Sequence, residues 1–117
     1  MEAAKEFLKE RFKHNDSLVF LAQDNAEIIG FTQLYPSFSS VSMKRVWILN
    51  DLYVKESHRR QKVATSLINA AQDYAKQSGA VRIVLATQIS NTTAHKLYES
   101  QGYIKDVEFY HYALRLQ

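Results

Sequence analysis

The sequence predicts an α/β protein, because β-rich runs alternate with helical segments and the longest helical segment joins two of those runs. A length of 117 residues suffices for one domain with a modest core, so we expect a single domain over residues 1–117. Apolar residues make up 46% of the chain and charged residues 23%, as in ordinary globular domains. No apolar run approaches the roughly 20 residues that span a bilayer.

The N-terminal part predicts a helix followed by a β-hairpin. Residues 1–12 predict an amphipathic helix, because charged residues alternate around Phe7, Leu8 and Phe12. This pattern differs from that of a signal peptide, so we expect a cytoplasmic protein. Residues 18–22 and 28–35 are β-rich and flank a turn-like segment, which predicts the hairpin.

A loop and a long strand are predicted next. Residues 36–40 predict an exposed loop, because they hold the only proline and several serines. Residues 46–54 then predict a strand, but Asn50 and Asp51 interrupt its apolar pattern. Polar residues in the middle of a strand require a structural or functional explanation.

The longest predicted helix covers residues 61–78 and ends at Gly79. Residues 81–86 follow it and predict a buried strand. Because a helical crossover joins this strand to the strand at 46–54, we expect a parallel pair in a right-handed strand–helix–strand unit. The predicted core stripe of the helix consists of Val63, Leu67, Ile68, Ala71, Tyr74 and Ala75.

A second, shorter helix is predicted after Asn91, which is a strong N-cap residue. Ala94, Leu97 and Tyr98 share one face of this helix, and Gly102 can take the left-handed conformation that ends it. Residues 103–116 predict two final strands or one hairpin, because their apolar and polar residues alternate.

The net charge of +3 is too small to demand a nucleic-acid partner, but the basic residues are concentrated. His58, Arg59, Arg60 and Lys62 stand beside the predicted start of the longest helix, where backbone N–H groups favour an anion. Taken alone, this cluster is more often a solvated basic turn than a phosphate site.

Three segments together resemble the GNAT acetyltransferases: residues 52–54, residues 59–65, and the stretch from Asn91 to Tyr103. The family's pyrophosphate loop has the pattern Arg/Gln-x-x-Gly-x-Gly/Ala, and this chain departs from it by placing Lys62 at the middle glycine. The resemblance implies a mixed sheet whose two central parallel strands splay apart to admit acetyl-CoA. It also implies acetyl transfer to a primary amine.

The resemblance further implies a role for each matching residue. Residues near the pantetheine arm of acetyl-CoA would be Leu52, Tyr53, Val54, Asn91 and Ala94. The pyrophosphate would be held by Arg59, Arg60, Gln61, Lys62, Val63, Ala64 and Thr65. Tyr98 would act as general acid toward the coenzyme A thiolate. Taken singly, Asn91 is more often only a helix cap and Tyr98 more often only a core aromatic.

The segment Leu49-Asn-Asp-Leu-Tyr-Val54 is similar to the Leu-Glu-Asp-Phe-Phe-Val strand of the diamine acetyltransferases. Asn50 and Asp51 therefore become candidates for binding a cationic amine, and Asp51 could accept its proton through water. Alternatively, Asp51 is a surface acid paired with Lys44 or Arg45. Tyr35, Phe38 and Trp47 are further candidates for lining the acceptor pocket.

The chain has no cysteine, and its four histidines lack the spacing of metal ligands, so we expect no metal and no cysteine nucleophile. Acetyl transfer would then proceed by direct attack in a ternary complex. Members of the family normally begin with a strand and a helix that precede the first helix predicted here. We therefore expect a homodimer without nucleic-acid or membrane partners, acting on a small-molecule or protein amine. The alternatives are a non-catalytic coenzyme A-binding or interaction module of the same fold and, less favoured, a nucleic-acid-binding protein.

Overall fold

The computed structural model describes residues 8–14, 17–39, 44–59, 62–107 and 112–116. The chain divides into two compact units, Met1–Ala86 and Thr87–Gln117, and each is described here by itself. The first unit contains a sheet with the strand order β1-β2-β3-β4-β5. These strands are β1 (Leu8–His14), β2 (Ser17–Asp24), β3 (Glu27–Ser39), β4 (Lys44–Val54) and β5 (Arg82–Val84). Helix α1 (Val63–Gln77) belongs to the same unit, and helix α2 (Thr92–Ser100) belongs to the second.

The predicted opening helix is wrong from Leu8 onward, because β1 is a strand that pairs antiparallel with β2 from Leu8↔Gln23 to His14↔Ser17. Residues 1–7 lie outside the described part of the chain. Pairing with β2 gives the backbone groups of β1 inter-strand partners, and such tertiary context commonly overrides local helix propensity. The basic residues at positions 9, 11 and 13 also follow the two-residue period of a strand, and they suit the edge of a sheet.

The β2–β3 hairpin is confirmed, with Asn25 in the left-handed conformation at φ 59° in its turn. The predicted loop at 36–40 is wrong for residues 36–39, which continue β3; Ser40 lies outside the described residues. Pro36 is accommodated because β2 pairs with β3 only as far as Leu34. Beyond that point β3 has β4 as its one partner, so a residue without an N–H group can stand there.

Strand β5 lies parallel to β4, which confirms the strand–helix–strand unit. However, β5 is shorter than predicted, and its expected burial is wrong because Val81 and Val84 are 43% and 41% exposed. Among the described strands β5 stands at the end of the sheet order, with β4 as its described strand neighbour.

Helix α1 packs on one face of the sheet through the stripe that the sequence predicted. Val63, Leu67, Ile68, Ala71 and Ala75 are buried, and Gly79 follows the helix at φ 83°. Val63, Leu67, Ala71 and Ala75 share one hydrophobic cluster with residues of the sheet that include Phe20, Ala22, Ile29, Leu34, Trp47 and Leu49. The face of α1 that carries apolar residues at helical spacing is therefore the face that forms the core.

In the second unit, α2 begins after Asn91 as predicted, and Gly102 follows it at φ 95°. The predicted final strands are wrong for residues 104–107 and 112–116, which form no strand, while residues 108–111 lie outside the described part. Alternation favours a strand only where a neighbouring strand supplies hydrogen bonds. The apolar side chains of this segment, Ile104, Val107, Tyr112, Leu114 and Leu116, are instead exposed. None of the described helices is long and apolar enough to cross a membrane.

Gly30 is the position where α1 approaches β3 and β4 most tightly. A Cβ atom at Gly30 would lie 2.8 Å from the backbone oxygen of Tyr53 and 3.2 Å from Cδ1 of Leu67. We therefore expect Gly30→Ala to lower the free energy of unfolding by about 1 to 3 kcal/mol through overpacking, measured by urea denaturation. Ser37→Ala, at an exposed position of the same strand, should change it by less than about 0.5 kcal/mol. Equal stability of Gly30→Ala and the parent protein would contradict this packing.

Candidate functional site

Strand β4 contains a bulge at Asp51, and this bulge explains the polar residues in its middle. Thr32 pairs with Leu52 and Gln33 with Asn50, so Asp51 is the extra residue. Asp51 has φ 58°, a left-handed conformation that aspartate tolerates better than most residues. The fully buried Thr32 donates its hydroxyl hydrogen to the Asp51 carbonyl oxygen at 2.7 Å. A bulge bends its strand and increases the local twist.

Beyond the bulge, β4 pairs with β3 but not with β5, whose parallel ladder ends at Ile48↔Val84. The Lys55 N–H donates to Ile29 O at 2.6 Å, so the alternation of an antiparallel ladder directs the backbone groups of Tyr53 toward β3 as well. The backbone groups of Leu52 and Val54 therefore face the other side. This open edge of β4 is where the two parallel strands part, as the resemblance implied.

Arg59 takes one of the backbone groups on that edge. Its Nε–H donates to the Val54 carbonyl oxygen at 2.9 Å. The N–H and C=O of Leu52 and the N–H of Val54 remain directed to the open edge by the same alternation. An extended ligand with amide groups could pair with them as an added strand would.

The start of α1 is suited to an anion. Lys62 occupies the N-cap position but makes no capping hydrogen bond, and the first turn contains no acidic residue. The N–H groups of Val63, Ala64 and Thr65 precede the first intrahelical partners, and the helix dipole adds partial positive charge there. Phosphate groups bind such helix starts. Of the other predicted loop residues, Arg60 and Gln61 lie outside the described part of the chain.

Lys62 shows why the family pattern has glycine at this position. Its φ of 65° lies in the left-handed region, which glycine adopts without steric cost. A residue with a Cβ atom is strained there by about 1–2 kcal/mol. The exposed Lys62 side chain also places a positive charge beside the helix start.

The start of α1 lies close to the end of the open edge, because α1 begins beside Gly30, the ladder partner of Val54. The Cβ position of Gly30 lies 2.8 Å from Tyr53 O and 3.4 Å from Cγ1 of Val63. The sequence analysis did not identify Gly30, although an isolated glycine inside a predicted strand often marks a close backbone approach. This juxtaposition fits a ligand with an amide-containing arm and a phosphate group at one end.

His58 does not belong with the phosphate-site cations, contrary to the sequence-based grouping. Its Nε2 lies 2.9 Å from Oδ2 of Asp24 at the end of β2. A carboxylate beside the ring offsets the positive charge that a protonated histidine would bring.

The acceptor candidates on the sheet divide into exposed and buried residues. Asn50, Asp51 and Tyr35 are exposed, and Asn50 Nδ2 donates to Asp51 Oδ2 at 3.3 Å. Trp47 is wrong as a pocket residue, because it is 2% exposed and its Nε1–H donates to Ser78 Oγ at 2.9 Å within the core. Strand alternation places Trp47 on the face that α1 covers.

The alternative in which Asp51 pairs with Arg45 is not observed, because the Arg45 guanidinium lies 5.4 Å from the centroid of the Trp47 ring. The side chains of Lys44 and Phe38 lie outside the described part of the structure. Asp51 is thus an exposed carboxylate whose described partner is the neighbouring amide of Asn50.

In the second unit, Asn91 caps α2 as predicted. Its Oδ1 accepts a hydrogen bond from the Ala94 N–H at 3.1 Å, so that N–H is already bonded. The cap uses the oxygen of the amide and leaves its two Nδ2 hydrogens as donors. His95 Nε2 lies 2.8 Å from Gln88 O, and since a carbonyl only accepts, Nε2 carries the hydrogen.

Tyr98 lies on α2 with its ring half-buried against Tyr103. The two rings are edge-on, with centroids 5.6 Å apart. Burial raises the pKa of Tyr98 above its ordinary value of 10.0, and the charge of Tyr103 raises it further. The Tyr98 hydroxyl therefore stays protonated at neutral pH, which is the form a proton donor requires.

In the parts of the chain that the structure describes, no group of three or more His, Asp or Glu residues could hold a metal ion.

The sequence also predicted that the starts of α1 and α2 contact one donor molecule, and this stays a prediction.

Comparison with known proteins bears on the family of this chain. Residues 1–103 match the Acetyltransferase (GNAT) family. The uncharacterized N-acetyltransferase YhfO of Bacillus subtilis is 47% identical over 116 residues, covering 99% of this chain and 78% of the relative. A probable acetyltransferase of Haemophilus influenzae is 35% identical over 98 residues, covering 83% of this chain and 65% of that protein. A crystal structure of a probable acetyltransferase superposes with a TM-score of 0.80 at 48% identity, covering 86% of this chain and 68% of that one.

The strain at Lys62 leads to a stability prediction. Lys62→Gly should raise the free energy of unfolding by about 0.5 to 1 kcal/mol, because relief of the left-handed strain exceeds the entropic cost of glycine. Lys62→Ala is the matched control, since it removes the ammonium group but keeps the Cβ atom. Urea denaturation of both variants measures the difference. A Lys62→Gly variant no more stable than Lys62→Ala would contradict the strain.

Proposed function

The chain belongs to the GNAT acetyltransferase family and is thus an acyltransferase; from that premise we propose that it transfers the acetyl group of acetyl-CoA to a primary amine. The acceptor would be a small molecule or a protein, and the amine would attack directly in a ternary complex. The closeness of the start of α1 to Val54, at the end of the open β4 edge, is the observation that carries this proposal. Acetyl-CoA would supply an acetyl group activated as a thioester.

The first unit would hold the donor. The backbone groups of Leu52 and Val54 on the open edge would pair with the amides of the pantetheine arm. The N–H groups at the start of α1 would bind the pyrophosphate, and Lys62 would add a charge-assisted contact. The resemblance adds Arg60 and Gln61 to this set. Arg59 would also have a structural role, because its Nε–H donates a hydrogen bond to Val54 O at the end of the same edge.

Asp51 would serve the acceptor. A protonated amine is attracted to an exposed carboxylate, but it must lose a proton before its nitrogen can attack. Asp51 can bind the cation and accept that proton through water, while Asn50 orients the carboxylate from its own amide. Tyr35 is exposed on β3 and would contact the organic part of the acceptor.

Tyr98 would assist the leaving thiolate. As the carbon–sulfur bond breaks, the negative charge on sulfur needs a hydrogen-bond donor or a proton. The ordinary pKa of a thiol is about 8.5, below that of Tyr98, so the phenol stabilises the charge chiefly as a hydrogen-bond donor. Asn91 would bond the pantetheine arm with its Nδ2 hydrogens, since its Oδ1 is used in the cap.

A second candidate function is a coenzyme A-binding module without turnover, which the departure at Lys62 favours. A homodimer also belongs to the proposal, because β1 and β5 end the sheet order among the described strands and terminal strands invite pairing.

Release of free thiol from acetyl-CoA tests the proposed function. Acetyl-CoA is mixed with the protein and a panel of alkyl primary amines, and alcohols of the same carbon skeleton serve as controls. We expect thiol release with amines and none above background with alcohols. Thermal stabilisation by acetyl-CoA without thiol release by any amine would favour the non-catalytic module.

The role of Tyr98 leads to a kinetic prediction. Tyr98→Phe should lower kcat by about tenfold to a hundredfold and leave the KM for acetyl-CoA within about twofold, because a donor to the leaving sulfur acts in the transition state. Tyr103→Phe is the matched control and should keep kcat within about threefold. Because the Tyr98 pKa is raised, the activity that depends on its proton should persist up to pH 10.0 and fall above it. An unchanged kcat in Tyr98→Phe would remove this role.

A further inference from the structure

The segment 55–59 follows β4 and ends at Arg59, the first of the proposed phosphate-binding residues. It contains one 3-10 turn, Glu56–His58, with His58 N–H bonded to Lys55 O at 2.8 Å and Arg59 N–H bonded to Glu56 O at 3.3 Å. A single turn of this kind is not stable in isolation. Contacts with the rest of the unit must therefore fix its position.

His58 makes the most buried of these contacts, which is with Asp24. Its Nε2 lies 2.9 Å from Asp24 Oδ2, and the side chains of His58 and Asp24 are 15% and 34% exposed. The other ring nitrogen, Nδ1, lies 2.9 Å from Ser57 Oγ. An ionised carboxylate only accepts hydrogen bonds, so Nε2 carries the hydrogen and the ring is held at both nitrogens.

Asp24 is a rigid anchor for this contact. It is the last residue of β2, and its ladder partner Glu27 is the first residue of β3. The left-handed Asn25 fixes the two-residue turn between them. The contact with Asp24 therefore fixes the position of the His58 ring relative to the sheet, although the two residues are 34 positions apart in the chain.

We propose that Asp24 is a positioning residue for the donor: through His58 it holds Arg59 in the position from which Arg59 binds the phosphates. Arg59 follows His58 directly, and its Nε–H bond to Val54 O depends on where the turn places it. This inference rests on the proposed function. A side chain positioned beforehand does not have to be positioned by the ligand, so the contact should favour donor binding.

The kinetic effect of removing the Asp24 carboxylate should distinguish a positioning role from a role in the acetyl-transfer step. Without the Asp24 carboxylate, Arg59 must be positioned when the donor binds, which weakens binding but leaves the acetyl-transfer step unchanged once the donor is bound. The KM for acetyl-CoA and the Kd for coenzyme A should rise together, while kcat at saturating donor stays the same.

The chain offers a matched control in the ion pair of Lys55 with Glu27. It joins the same hairpin to the same connecting segment, but it lies before the 3-10 turn and both side chains are about half exposed, at 46% and 49%. Removing this ion pair tests whether the loss of any contact between the hairpin and the connecting segment weakens donor binding. Among the described residues, the hydrogen bond of this ion pair joins Lys55 to Glu27 and does not involve Arg59 or Lys62.

The experiment measures Kd for coenzyme A by calorimetry, kcat and KM for acetyl-CoA, and the unfolding midpoint, in the full chain and in Asp24→Ala, His58→Ala, their double variant and Glu27→Ala. We expect Asp24→Ala to raise Kd and KM about fivefold or more with kcat within about twofold, and Glu27→Ala to leave all three within about twofold. The double variant should have the same Kd and KM as His58→Ala, because either substitution alone already removes the contact between Asp24 and His58. Asp24→Asn keeps an acceptor oxygen, so its Kd and KM should lie between those of the parent and of Asp24→Ala. This variant tests the inference if Asp24→Ala does not fold.

An unchanged Kd in Asp24→Ala, or an equal rise in Glu27→Ala, would overturn the inference while leaving the proposed function intact. Additive losses in the double variant would also overturn it, since Asp24 would then act independently of His58. If the parent protein fails to bind coenzyme A, the proposed function fails and the inference fails with it.

Discussion

The hydrogen bond from the Thr32 hydroxyl to the Asp51 carbonyl supports the bulge on which the open edge of β4 depends. An extra residue in one strand loses its place in the ladder, and a buried carbonyl without a partner is costly. Thr32 supplies that partner from inside the core, and the left-handed Asp51 accommodates the bend. The parallel ladder of β4 with β5 ends at Ile48, shortly before the bulge at Asp51.

The position of α1 then decides what the open edge can bind. With no side chain at Gly30, Val63 and Leu67 approach the backbone of Tyr53 closely. The start of the helix, with its uncapped N–H groups, is thereby placed near the end of the edge. Backbone groups suited to amides and backbone groups suited to phosphate lie at neighbouring positions of the unit, and both are fixed by core packing and not by exposed side chains. This arrangement can tolerate Lys62 at a position where glycine would be less strained.

How far the sequence predicted the structure depends on whether the signal was local. The stripe of α1, the Asn91 cap and the stops at Gly79 and Gly102 follow from neighbouring residues, and all are confirmed. Strand β1 was missed because its pairing with β2, and not its own composition, makes it a strand. Trp47 was misplaced because the sequence does not say which face of β4 meets α1.

The missed features of the candidate site have the same origin. The bulge was visible only as two polar residues in a strand, because its cause is a register shift against β3. The contact of His58 with Asp24 joins residues that are distant in sequence, and the local pattern instead grouped His58 with the basic residues beside it. By contrast, the residues that the resemblance suggests at the start of α1 form a contiguous motif, so the sequence alone could propose them; their role stays a prediction.

The central claim is that the open edge of β4 binds the arm of the donor through its backbone. Amide hydrogen exchange with and without coenzyme A, resolved to single residues, measures this directly. The account predicts slower exchange at Leu52 and Val54 when coenzyme A is bound, with little change at Tyr53, whose N–H is directed toward β3. Binding of coenzyme A without added protection at Leu52 and Val54 would contradict it.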